Sequence, residues 1–196
     1  MAHRRSQYGF TLIEVMTVMA FSGILAAIAI PVTESAVGAH RLTSDARGIA
    51  QELSLAKMRA AARFTHSRLY VDRRAGRHLI QTWDKTGGDW MAEGAPVALS
   101  RGVSFSFAGL AAPPPHTQAA IGFSPECRDK DAAVIADTSC VVFNSRGVPI
   151  DSAGAPTGGG GFYLTDGALV YGVTITATPM VRVWRSPAAQ VAWTAE

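Results

Sequence analysis

Residues 15–32 contain no charged side chain, an uninterrupted run of 18 residues that starts directly after Glu14. That is about the length a helix needs to cross the hydrocarbon core of a bilayer. Arg4 and Arg5 precede the run and no basic residue directly follows it, a bias that favours an N-terminus in the cytoplasm and the remainder outside. A carboxylate within hydrocarbon costs roughly 3 kcal/mol on insertion scales, so Glu14 is expected to have a partner. A cleaved secretory signal is the rival reading, because Ala27, Ile28 and Ala29 imitate the small-residue processing site such signals carry.

The chain beyond Pro31 argues for a longer helix. Leu42, Ala46, Ile49, Leu53, Ala56, Ala60 and Phe64 recur at steps of three and four, which makes one apolar helical stripe. The opposite face carries Arg41, Asp45, Arg47, Glu52, Lys57, Arg59 and Arg63, so this second half is expected to lie half buried on a domain. The pattern predicts helix from Thr11 to Phe64, bent or loosened near Gly23, Pro31 and Gly38. Its halves are a transmembrane or assembly segment, 10–32, and an amphipathic segment, 33–64.

From 65 to 196 the periodicity alternates. Stretches rich in β-branched and aromatic residues and bounded by glycine or proline predict strands at 66–73, 77–83, 97–107, 140–147 and 161–167, with two more in 168–185 broken near Pro179. By composition "DKTGGDWMAEGAP", "AGLAAPPPHTQ" and "PIDSAGAPTGGGG" are loops. The expected fold class is α+β, a long N-terminal helix packed on antiparallel sheet in one globular head. A chain of 196 residues has room for one such head and its extension, not for two full domains.

Nothing in the sequence converges on catalysis. His3, His40, His66, His78 and His116 are scattered without metal-ligand spacing and read as solvated surface residues. The glycines at 158–161 lack the Lys-Ser/Thr ending of a phosphate-cradling loop, and Glu126, Asp129, Asp131 and Asp137 lack the regular oxygen spacing of a calcium loop. No cofactor and no metal are expected, and the chain is not read as an enzyme. Cys127 and Cys140 are 13 apart without zinc-site companions. A disulfide, worth about 3 kcal/mol and requiring an oxidising compartment, is the favoured reading, and two buried thiols are the alternative.

The formal charge of +3 is modest, so any positive site is local. Lys57, Arg59, Arg63, Arg68, Arg73, Arg74 and Arg77 face only Asp72 in that part of the sequence. Converging, they would make a phosphate-binding strip with salt-sensitive affinity for DNA; otherwise they make a solvated face near anionic lipid or a subunit contact, which is the favoured reading.

Gly9 followed by "FTLIEVM", with Pro31 closing the apolar run, resembles the cleavage and methylation site of type IV pilins and type II secretion pseudopilins. The resemblance implies that a prepilin peptidase removes residues 1–9 after Gly9 and methylates the new amino terminus at Phe10. It further implies that Phe10, Glu14 and Pro31 serve assembly, the Glu14 carboxylate facing the Phe10 ammonium of a neighbouring subunit or of its own chain. In the head, "LSLAKMRAAAR", "FNSRGVP" and "GFYLTDG" followed by "VRVWR" are similar to the GspH/FimT group of minor pseudopilins and minor pilins. That likeness implies a single-pass protein of the bacterial inner membrane with a periplasmic head. It would join other pilins or pseudopilins near the tip of a secretion pseudopilus or a type IV pilus. DNA-binding relatives end in a Gly-Arg-x-Arg pattern, from which "MVRVWR", with Arg182 and Arg185, departs.

Overall fold

The computed structural model describes residues 10–196, and the side chains of all of these except 28–36. The chain divides after Gly38 into two compact units, Met1–Gly38 and Ala39–Glu196. The helix α1 covers Leu12–Ala62. Thr11 caps its start: the Thr11 carbonyl accepts from the amides of Glu14 and Val15 at 3.1 and 3.2 Å, and its hydroxyl accepts from the Glu14 amide at 3.3 Å. Donors at the first turn that no helical carbonyl could reach are thereby satisfied.

At the other end Phe64 adopts the left-handed conformation, with φ of 50°. The Thr65 amide donates to the Ala60 carbonyl at 3.2 Å and the Phe64 amide to Ala61 at 3.3 Å, a closing pattern that usually employs glycine. The turn carries Phe64 off the apolar stripe. Leu42, Ala46, Ile49, Leu53, Ala56 and Ala60 are all fully buried, whereas Phe64 is 74% exposed, so its expected place in the core is corrected.

Ten strands follow: β1 (Ser67–Asp72), β2 (Arg77–Asp84), β3 (Asp89–Ala98), β4 (Ser104–Phe105), β5 (Thr138–Phe143), β6 (Pro149–Ile150), β7 (Gly160–Thr165), β8 (Leu169–Ile175), β9 (Val181–Pro187) and β10 (Thr194–Ala195). They form two antiparallel sheets, ordered β3-β2-β1-β5-β6 and β10-β9-β8-β7-β4. The strand expected over 97–107 reduces to the end of β3 and the two residues of β4, while the expected loop at 84–96 carries most of β3. What makes β3 is its hairpin. The Asp84 carboxylate accepts from the amides of Thr86 and Gly87, both at 2.9 Å, Gly88 turns the chain at a φ of +66°, and Trp90 then falls opposite Trp83. Pairing with β2 overrides a composition that alone reads as loop.

One apolar core is shared by the buried stripe of α1, by Leu69, Val71, Ile80, Val141 and Phe143 of the first sheet, and by Phe162, Leu164, Tyr171, Val173 and Ile175 of the second. The other face of the second sheet is covered as well. Tyr163 and Val170 pack there with Leu110, Phe107, Phe123 and Trp193, so β7 is buried on both faces and its run of apolar residues needs no alternation. The Tyr163 ring presses on Gly172, where an added Cβ would stand 3.0 Å from Cε1. Gly172→Ala is therefore expected to destabilise the head by about 1–3 kcal/mol through overpacking, seen as a lower urea midpoint with unchanged slope.

Cys127 and Cys140 are joined in a disulfide with a Cα–Cα distance of 5.0 Å. Its loop is fastened to β5 and the segment before it, because the Cys127 amide donates to Thr138 Oγ1 at 3.0 Å and the Cys140 amide to the Pro125 carbonyl at 2.8 Å.

Candidate assembly and binding surfaces

Within the first unit, every described side chain from Phe10 to Ala27 is exposed, including Phe10, Leu12, Ile13, Val15, Met16, Val18, Met19, Phe21, Ile24 and Leu25. A helix apolar on all sides has no face that water tolerates and is built to be surrounded by lipid or other helices. Glu14 is the one charged residue in that stretch, placed in the first turn of α1, where a negative charge is favoured by the helix dipole. Phe10 stands one residue before the capping Thr11, so an amino group created at Phe10 would lie four residues from Glu14. Gly9 lies outside the described residues, and Pro31 falls within α1 with its side chain outside the described ones. Among the described residues no helix is long and apolar enough to cross a membrane; positions 28–32 of the expected span are outside those with described side chains.

The basic residues do not gather into a single strip. Arg59 Nε and Arg63 Nη1 reach Glu93 Oε2 and Oε1 at 3.1 and 3.0 Å, and Lys57 Nζ donates to the Pro179 carbonyl at 3.5 Å. Arg68, expected among the anion-binding residues, is buried. Its Nε donates to Gln81 Oε1 at 2.7 Å, its Nη1 donates to the Arg128 carbonyl, and its guanidinium lies 3.9 Å from the centre of the Trp90 ring. Burial lowers its pKa to about 10, against the pull of Tyr70, Asp89 and Asp129. Arg68 thus holds the disulfide loop on the outer face of the first sheet and is corrected from surface ligand to structural cation.

Arg73 pairs loosely with Glu126, at 3.6 Å, and lies against Phe123. Arg74 and Arg77 are exposed at the β1–β2 turn, Arg182 and Arg185 on β9. These four have no ion-pair partner among the described residues. Arg74 lies in the turn before β2 and Arg77 on β2 of the first sheet, whereas Arg182 and Arg185 lie on the second, and residues three apart on one strand, as Arg182 and Arg185 are, point to opposite faces. The geometry gives no convergent phosphate site.

The histidine reading needs one correction. His78 is buried, with its Nε2 3.4 Å from Glu52 Oε2. It belongs to a polar row that the sequence reading missed: Asp45, Glu52 and Arg59, spaced by seven on α1, meet Ser100, His78 and Glu93 respectively. The heptad spacing, running beside the apolar stripe, was the available signal.

A groove opens between the end of α1 and the β2–β3 hairpin, with a volume of about 850 Å³ and a lining that includes Leu55, Ile80, Met91 and the Glu93 clamp. Among the described residues no cluster of histidine, cysteine or acidic side chains could hold a metal ion.

Residues 4–30 match the family described as the prokaryotic N-terminal methylation motif. No curated protein matches the chain. Among solved structures, the chain is similar to the minor pseudopilin EpsH from the type 2 secretion system of Vibrio cholerae, at 15% identity and a TM-score of 0.39, over 73% of this chain and 95% of that one.

Proposed function

We propose that this chain is a minor pilin-like subunit. The N-terminal helix would hold it in the inner membrane with the head in the periplasm until it is inserted near the tip of a type II secretion pseudopilus or a type IV pilus, in support of protein secretion. The observation that carries this reading is the methylation motif at 4–30, joined to a helix apolar on every side except for Glu14. Cleavage after Gly9 frees an α-amino group, cationic at neutral pH, which gives the Glu14 carboxylate a counter-charge in a medium where an isolated one is costly. The head supplies recognition rather than chemistry: it offers surfaces to neighbouring subunits, and its disulfide suits an oxidising compartment.

Mass spectrometry of the chain co-produced with a prepilin peptidase tests the first step. The expected product begins at Phe10 and carries one added methyl group on its amino terminus. A chain that retains Met1, or one cut after Ala29, would refute the reading, since neither places an amino group beside Glu14.

A further inference from the structure

The ribbon formed by β2 and β3 is tied to α1 by the polar row rather than by the apolar stripe alone. At one end the Asp45 carboxylate accepts from the Ser100 amide at 2.8 Å and from its hydroxyl at 2.9 Å. At the other, Glu93 takes both Arg59 and Arg63. The middle tie, Glu52 with His78, differs because its histidine is enclosed: the His78 side chain is only 4% exposed, against 22% for Glu52. The strand residues paired with His78 are apolar, Val71 on β1 and Val97 on β3.

Two buried atoms of this tie, His78 Nδ1 and Glu52 Oε2, have no hydrogen-bond partner. A doubly protonated imidazole would bury an N–H at Nδ1 with no acceptor and a full charge besides. A neutral ring leaves only a lone pair unmatched, which costs less. The same reasoning opposes a bare carboxylate on Glu52. Burial pushes the Glu52 carboxyl up to about 7 and pushes His78 down, partly offset by the charge of Asp45 on α1.

We propose that, in the docked ribbon, Glu52 and His78 together carry a single titratable proton, on the Glu52 carboxyl, with both side chains neutral, so that lifting the ribbon off α1 at mildly acidic pH exchanges no net proton with solvent. Docked, the pair is carboxylic acid and imidazole; released into water at mildly acidic pH, it is carboxylate and imidazolium. Each state binds one proton, so the attachment is insensitive to pH where either group alone would make it sensitive. A carboxyl with a raised value weakens docking as pH rises from its ordinary 4.5 through about 7. A histidine with a lowered value weakens docking as pH falls below its ordinary 6.5. The opposing slopes cancel, and the pair titrates as one unit.

Amide hydrogen exchange on the full chain in detergent micelles, corrected for intrinsic rates, gives the opening constant of β2 and β3 between about pH 5 and 6.5. An uncompensated proton changes that constant about tenfold per pH unit. The wild type is expected to vary by less than about threefold. Glu52→Gln is expected to open more as pH falls, and His78→Gln more as pH rises, each with a slope approaching tenfold per unit. A wild-type slope of one full proton, or variants as flat as the wild type, would overturn the proposal. Should a variant fail to fold, the nitrogen-15 shifts of the wild-type His78 ring decide: a neutral ring at about pH 6 supports the single-proton pair, and an imidazolium there refutes it.

Discussion

Glu14→Ala is expected to yield a chain that is cut after Gly9 at the wild-type rate and yet is missing from sheared filaments. In the proposed function the peptidase would read the leader and the glycine, which the substitution leaves alone, whereas assembly would need the acid. In the proposed stack, the Phe10 ammonium enters the apolar layer beside Glu14, where low dielectric strengthens their attraction and each ion relieves the other's desolvation. Without the carboxylate that ammonium is left unpaired in hydrocarbon, a penalty of about 3 kcal/mol. Such a penalty corresponds to a hundredfold or so in equilibrium incorporation. Immunoblots of filament and membrane fractions measure it. Wild-type recovery of the variant in filaments, with processing intact, would remove the charge-pair account while leaving the cleavage step standing.

Two leucines of α1, separated by a single residue, are expected to answer very differently to truncation. Leu53 is fully buried in the shared core, and Leu55 is 38% exposed on the rim of the groove. Leu53→Ala removes buried methyl groups and leaves a void in the core that α1 shares with the sheets, a loss of about 3 kcal/mol. For a head of this size that lowers the melting temperature by roughly 10 °C. Leu55→Ala should cost less than about 1 kcal/mol, because much of that side chain is already in water. Thermal unfolding followed by tryptophan fluorescence separates them. Equal losses would mean that α1 meets the sheets with a different face from the one described.

The apolar stripe was legible because a 3.6-residue period selects one helix face whatever lies opposite, and the six positions from Leu42 to Ala60 that it selects are fully buried. Most strands were legible for the same reason: β1, β2, β5, β7, β8 and β9 fall where β-branched and aromatic residues cluster between turn formers. Two features escaped. β3 has few strand-forming residues, and only its hairpin with β2 makes it a strand. The ties of Glu52 to His78 and of Arg68 to the disulfide loop join residues 26 and 60 positions apart. No local pattern distinguishes such a histidine or arginine from one in solvent, since burial of a polar group depends on what the rest of the chain lays over it.

The N-terminal segment and the helix face that enters the core are consequences of short-range order: unbroken apolarity, a single acid and a regular period are complete within a few turns of chain. Which charges remain free for a partner is different. It depended on two sheets folding around α1, which consumed Arg59, Arg63 and Arg68 internally, left Arg74, Arg77, Arg182 and Arg185 at the surface, and enclosed His78. Apolar periodicity acts through neighbours along the chain, whereas the fate of a charge is decided by distance and solvent access, which exist only once distant segments have met.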